Sequence, residues 1–146
     1  MAVKLSGVRE LDLALAEMKK STARGVLKRV ALKALQPVVD AAKAMAPVDD
    51  GQLRDSIVAS DQLAGNAKRS APKLARGERA TGITVYAGTK NRNGVPREFG
   101  SVRAPAHPFM RPAWDGNKGR LLDSVAKDLA EEIEKTAARA AKRKKG

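Results

Sequence analysis

Cysteine is absent from the 146 residues, which excludes a disulfide framework and any thiolate metal site and fits a cytosolic origin. Histidine occurs once, at His107. A zinc site would therefore have to rest on carboxylates, and a histidine-activated nucleophile lacks both its nucleophile and its orienting carboxylate at a workable spacing. No apolar run approaches the ~20 residues that span a bilayer, and the opening MAVKLSGVRE lacks the apolar stretch of a secretory signal. A soluble intracellular product with no membrane partner is the expectation. Aromatic residues are scarce, with two Phe, one Trp and one Tyr, while alanine is abundant. Small core residues let helices approach closely but bury little area at ~25 cal/mol per Å², so the domain gains from assembly. Acidic residues are outnumbered: 29 basic against 16 acidic side chains leave a net charge of +13. That surplus calls for an anionic neighbour, either nucleic acid or an acidic protein surface, without distinguishing them.

What the chain does hold is concentrated in residues 95–115, VPREFGSVRAPAHPFMRPAWD. Both phenylalanines, the tryptophan, the histidine and four of the seven prolines lie there. So many large apolar groups anchor either the core or a contact. Pro105, Pro108 and Pro112 fix φ and remove amide donors, which argues against a regular helix or central strand. The expectation is a stiff, extended arm presenting Phe109 and Met110, preceded by a tight turn at Gly100 with positive φ.

The rest reads as α+β: two N-terminal helices and a long C-terminal helix packed on a small, mainly antiparallel β-sheet, in a single domain over 1–146. Ser6 caps a helix over 6–19 whose apolar positions are Val8, Leu11, Leu15 and Met18. A longer helix over 23–46 carries Val26, Leu27, Val30, Ala34, Leu35, Val38, Val39, Ala42 and Met45 on one band, with a kink expected at Pro37 and a stop at Pro47. Strands are expected over 55–60, 82–89 and 95–99, the last two joined by a hairpin at Asn93-Gly94, with Pro96 marking an edge. Glu98 calls for an arginine partner, with Arg97, Arg103 and Arg111 nearest in sequence. The last helix begins between Pro112 and Gly119 and follows Leu121, Leu122, Val125, Leu129, Ile133 and Ala137. Residues 61–81 form a flexible basic loop, and 142–146 a basic, disordered terminus.

Two motifs carry a resemblance. Glu98-Phe99-Gly100-Ser101 is followed by Ala104-Pro105-Ala106-His107-Pro108-Phe109-Met110-Arg111-Pro112-Ala113, and upstream stands Ala46-Pro47-Val48-Asp49-Asp50-Gly51-Gln52-Leu53 with Ser56-Ile57. In this order they resemble the small neck or tail-completion proteins of tailed bacteriophages, typified by a tail component of siphophages. The departure is Asp50, where threonine is usual. The resemblance implies a virion structural protein at the head–tail junction, assembled in the host cytoplasm. It implies a homo-oligomeric ring through which DNA passes, with head-closure or connector and tail proteins as neighbours and no catalysis or cofactor. Phe99, Phe109, Met110 and Trp114 are then expected at or directly behind a subunit contact, held by Gly100, Pro105, Pro108 and Pro112. A basic, non-specific nucleic-acid-binding accessory protein is the alternative, and a small enzyme comes third.

No constellation carries chemistry. Asp49 and Asp50 fit a turn and helix cap better than an acid/base pair, and the glycines at 77, 82, 88, 94 and 100 form no phosphate-cradling loop. Lys68, Arg69, Lys73, Arg76 and Arg79, and the terminal Lys142, Arg143, Lys144 and Lys145, either meet DNA or an acidic partner or stay solvated. Any DNA contact would be non-specific, since aromatic stacking groups and groove-reading motifs are missing.

Overall fold

The computed structural model describes residues 9, 12, 15–16, 18–49, 51–62 and 83–145. The first long helix is α1, Lys20–Met45. Val26, Val30, Ala34, Leu35, Val38, Val39 and Ala42 recur at three- and four-residue spacing and all are buried. Each fully buried valine or leucine contributes about 1.5–3 kcal/mol, so this stripe holds the helix, whose first turn has neither a side-chain cap nor an acidic residue. Pro37 sits inside the helix on its exposed face, where the missing amide deprives the Lys33 carbonyl of its helical donor. Ala46 turns extended ahead of Pro47 and ends the helix. Met45, expected in the apolar band, is exposed, and Ala46 takes the buried position. Upstream, Arg9, Asp12, Leu15 and Ala16 are helical. The helix expected over 6–19 is thus matched at those four positions; Met18 and Lys19 are not helical, and its other residues lie outside the described set.

A single turn, α2 (Gln52–Asp55), follows Gly51, whose φ of 80° is left-handed. Strand β1 (Ile57–Ser60) then pairs antiparallel with β2 (Tyr86–Thr89), Ile57 opposite Thr89 and Ser60 opposite Tyr86. The Ser56 and Thr89 hydroxyls hydrogen-bond to each other at the mouth of the ladder. The segment expected as a basic loop lies outside the described residues beyond Gln62.

The third strand is a correction. Residues 95–99 belong to helix α3, Gly94–Phe99, so the sheet has two strands among the described residues. Asn93-Gly94 opens that helix instead of turning a hairpin. Gly94 has no positive φ; it is buried and a Cβ there would run into the Thr89 side chain. The glycine is needed for close approach, not for a turn.

Helix α4, Met110–Lys145, spans 36 residues, roughly 50 Å at 1.5 Å per residue. It starts before Pro112 and runs past Ala141, where the sequence predicts fraying. Pro96 and Pro112 each stand third in a helix, where an amide has no intrahelical acceptor and proline costs little. Helix α4 packs antiparallel along α1, with Arg29–Glu132 at 3.4 Å and Lys33–Asp128 at 3.1 Å bridging the seam. One core cluster joins Leu35, Val38, Val39, Ala42, Leu53, Ile57, Phe109 and Ala113; a second joins Val26, Val30, Leu129 and Ile133.

Candidate functional site

The two halves of the downstream motif meet at one buried carboxylate. Glu98, 5% exposed, leaves the last turn of α3 pointing at the start of α4. One of its oxygens accepts the amides of Phe109 (2.8 Å) and Met110 (2.9 Å), and the other accepts the amide (3.0 Å) and Nε (3.0 Å) of Arg111. Arg111 also donates through Nη2 to the Glu98 carbonyl at 3.1 Å. The first turn of a helix leaves amides without partners and carries a partial positive charge. Here a carboxylate eleven residues upstream takes three of those amides, and Pro112 has none to satisfy. Burial alone pushes the Glu98 carboxyl up, but the three amides and the Arg111 guanidinium outweigh it and hold it below the ordinary glutamate range.

Between acceptor and donors the chain makes a compact bend. Gly100 adopts φ 80°, and a Cβ there would lie 3.0 Å from the Ala106 nitrogen. Ser101 and Ala104 form an isolated antiparallel bridge, and the His107 amide donates to the Arg97 carbonyl at 2.7 Å. The upstream motif is tied in from the other side. Asp49 pairs with Arg97 instead of capping a helix, and Leu53 and Ile57 are buried beside Phe109 and Ala113. Asp50 lies outside the described residues.

This clamp fixes what it displays. Phe99 is 63% exposed, with the Arg111 guanidinium 4.6 Å above its ring. Val95, one turn earlier on α3, and Val102 are exposed too. Arg111, Met110 and the half-exposed Trp114 continue the surface into an apolar groove of about 730 Å³, walled by Leu35 and Val38 of α1, Val85 and Tyr86 at β2, and Leu121 and Val125 of α4.

The expected contact residues therefore separate. Phe99 and Trp114 face outward and Met110 is partly buried, whereas Phe109 is completely buried in this chain's own core. Phe109 stands behind the surface, not on it. Gly100 has the expected positive φ, though it ends a helix and not a strand; Pro105 and Pro108 are exposed in the arm, and Pro112 is inside α4. Of the three arginines near Glu98, Arg111 is the partner. Lys68, Arg69, Lys73, Arg76 and Arg79 lie outside the described residues. Lys142 and Arg143 are exposed, and the helix includes Lys144 and Lys145.

Residues 9–101 match the family described as "Bacteriophage HK97-gp10, putative tail-component". The chain belongs to that family. No curated protein and no solved structure matches it. The family is a structural component of phage particles, and its matched span takes in Glu98 and Phe99 but stops short of 104–113. The Glu98 clamp thus couples the matched span to the segment beyond it. Among the described residues no cluster of histidine and carboxylate groups could hold a metal ion, and no helix is long and apolar enough to cross a membrane. Sequence reading missed the amide-capping role of Glu98 and the groove lining at Val85 and Tyr86. A signal for the first was present: a helix opening Phe-Met-Arg-Pro with no Ser, Thr, Asp or Asn before it needs a remote cap.

Proposed function

We propose that the chain is a structural subunit of an oligomeric ring at the head–tail junction of a tailed phage, where it completes or joins the tail around the path of the DNA. One observation carries this: the exposed Phe99 and Trp114 stand on a mount braced by buried Glu98, which clamps the start of α4 and Arg111. Ring subunits touch through unlike faces, one face of each copy meeting a different face of the next. Phe99, with Val95 and Val102 beside it, is suited to be the projecting face, and the groove beside Trp114 the receiving one. Large apolar anchors of this kind dominate the energetics of stable contacts. Family membership supports other phage structural proteins as further neighbours, a head-closure or connector protein on one side and the tail on the other.

Electron microscopy of purified particles tests the proposal. Density for this chain in a closed ring at the junction is the expected result. A position along the tail shaft or at its distal tip refutes it.

A further inference from the structure

The chain's surplus charge is not spread evenly, and its densest part is assembled from two helices. Across the middle of the α1–α4 seam every cation of α1 has a partner: Lys28 meets Asp61, Arg29 meets Glu132 and Lys33 meets Asp128. Beyond the Arg29–Glu132 pair cations dominate both helices, and Glu134 is the last carboxylate side chain on α4. No carboxylate side chain occurs between Glu17 and Asp40, and Lys135 to Lys145 contains six basic residues and no acidic one. The antiparallel packing sets the start of α1 level with the α4 turn that contains Thr136 and Arg139. Lys19 and Arg24 thereby join Arg139, Lys142 and Arg143 at one end of the molecule. All five are exposed, and none forms an ion pair among the described residues.

We propose that this end, where α1 begins and α4 finishes, is a contact surface for the phosphate backbone of double-stranded DNA. The helix dipole accounts for cations at the end of α4 but not for those at the start of α1, which it repels. Among the described residues no ion pair compensates their clustering, which a polyanion would relieve. The partner is bound by charge alone. Past Ile133 the helix offers Ala137, Ala138, Ala140 and Ala141 between its cations, all exposed and none large enough to anchor a protein interface. Lys135, Arg139 and Lys142, at i, i+4 and i+7, line one side of the rod. The surface lies at the far end of α4 from Trp114, so it leaves the apolar face free, and it does not depend on ring formation.

The test is fluorescence anisotropy of a labelled random-sequence duplex titrated with the full chain over a range of salt. Two variants of equal charge are compared with the parent. One removes the proposed surface (Arg24→Ala, Arg139→Ala, Lys142→Ala and Arg143→Ala). The other removes exposed cations elsewhere (Lys90→Ala, Arg92→Ala, Arg120→Ala and Lys127→Ala). Each lost phosphate contact lowers the slope of log affinity against log salt by about 0.9, so the first variant should lose up to about 3.6 units of slope and at least about tenfold in affinity at low salt. The second should lose far less. Equal losses in both variants overturn the proposal, because net charge alone would then suffice. Poly-glutamate of matched length is the third arm. If it binds as tightly as the duplex and is weakened equally by the first variant, the surface is one for acidic protein and the proposal fails. Melting temperatures verify folding, and Arg24→Ala with Arg139→Ala gives the same comparison should the fuller variant be unstable.

Discussion

At the scale of single residues, Glu98 does the most. It caps α4, holds Arg111 over Phe99 and does so from a nearly solvent-free position. Its carboxyl is held below the ordinary range, so the sign of its linkage to pH follows. Its contribution is fully present above the unfolded-state pKa of about 4.3 and is lost as pH falls through the depressed folded value. Glu98→Gln keeps one acceptor oxygen but removes the charge, and should cost about 1.5–3 kcal/mol at neutral pH. Urea denaturation of both proteins across acid pH measures this. The stability gap should be widest near neutrality, begin to narrow below the unfolded-state pKa and close only as pH falls through the depressed folded value; a gap independent of pH would mean that the carboxylate charge contributes nothing. Phe109 works at the same scale for a different reason. Its ring is fully buried between the two motifs, so Phe109→Ala should lose about 3–5 kcal/mol, visible as a lower melting temperature whatever the oligomeric state.

Among the elements, α1 and α4 were legible because a long amphipathic stripe leaves a strong periodic trace, and their expected apolar positions at Val26, Val30, Leu129 and Ile133 pack together. The short elements were not. Residues 95–99 read as a returning strand since Asn-Gly and proline signal a hairpin and an edge, yet both residues serve a helix start: Gly94 for its closeness to Thr89, Pro96 for its indifferent third position. Pro112 misled in the same way. Local signals name a conformation that a residue tolerates, whereas the contact that selects it is non-local, as with Glu98 and the amides eleven to thirteen residues on. The groove was illegible for that reason too, since its walls come from three elements. Pro37 supplies a test at this scale. It lies on the exposed face of α1 with no amide to offer the Lys33 carbonyl, and proline inside a helix is about 3 kcal/mol worse than alanine. Pro37→Ala should raise the melting temperature by several degrees. An unchanged or lower value would show that Pro37 makes a contribution to the fold that offsets its missing hydrogen bond.

For the whole molecule, the division between buried Phe109 and exposed Phe99 and Trp114 allows the proposed contact to be tested apart from stability. Phe99 and Trp114 are 63% and 45% exposed in the single chain. Removing either ring should therefore cost less stability than removing Phe109, Phe99 losing its contact with Arg111, about 0.5–1 kcal/mol at an exposed site, and each ring the part of its area that is covered. At a subunit contact the same truncation often costs about 2 kcal/mol or more, and a closed ring repeats that loss at every subunit. Phe99→Ala and Trp114→Ala should hence yield folded chains with nearly parental melting temperatures that sediment as monomers under conditions where the parent forms the proposed ring. In a complementation assay they should leave heads and tails unjoined or tails malformed. Phe109→Ala is the control: it should fail by unfolding. Lower growth temperature should rescue Phe109→Ala in part and leave the Phe99→Ala and Trp114→Ala defects in place. If the Phe99 and Trp114 variants assemble normally, the exposed aromatic face is not the subunit contact. If they instead melt as early as Phe109→Ala, their rings belong to the fold and the clamp's role in displaying them is refuted.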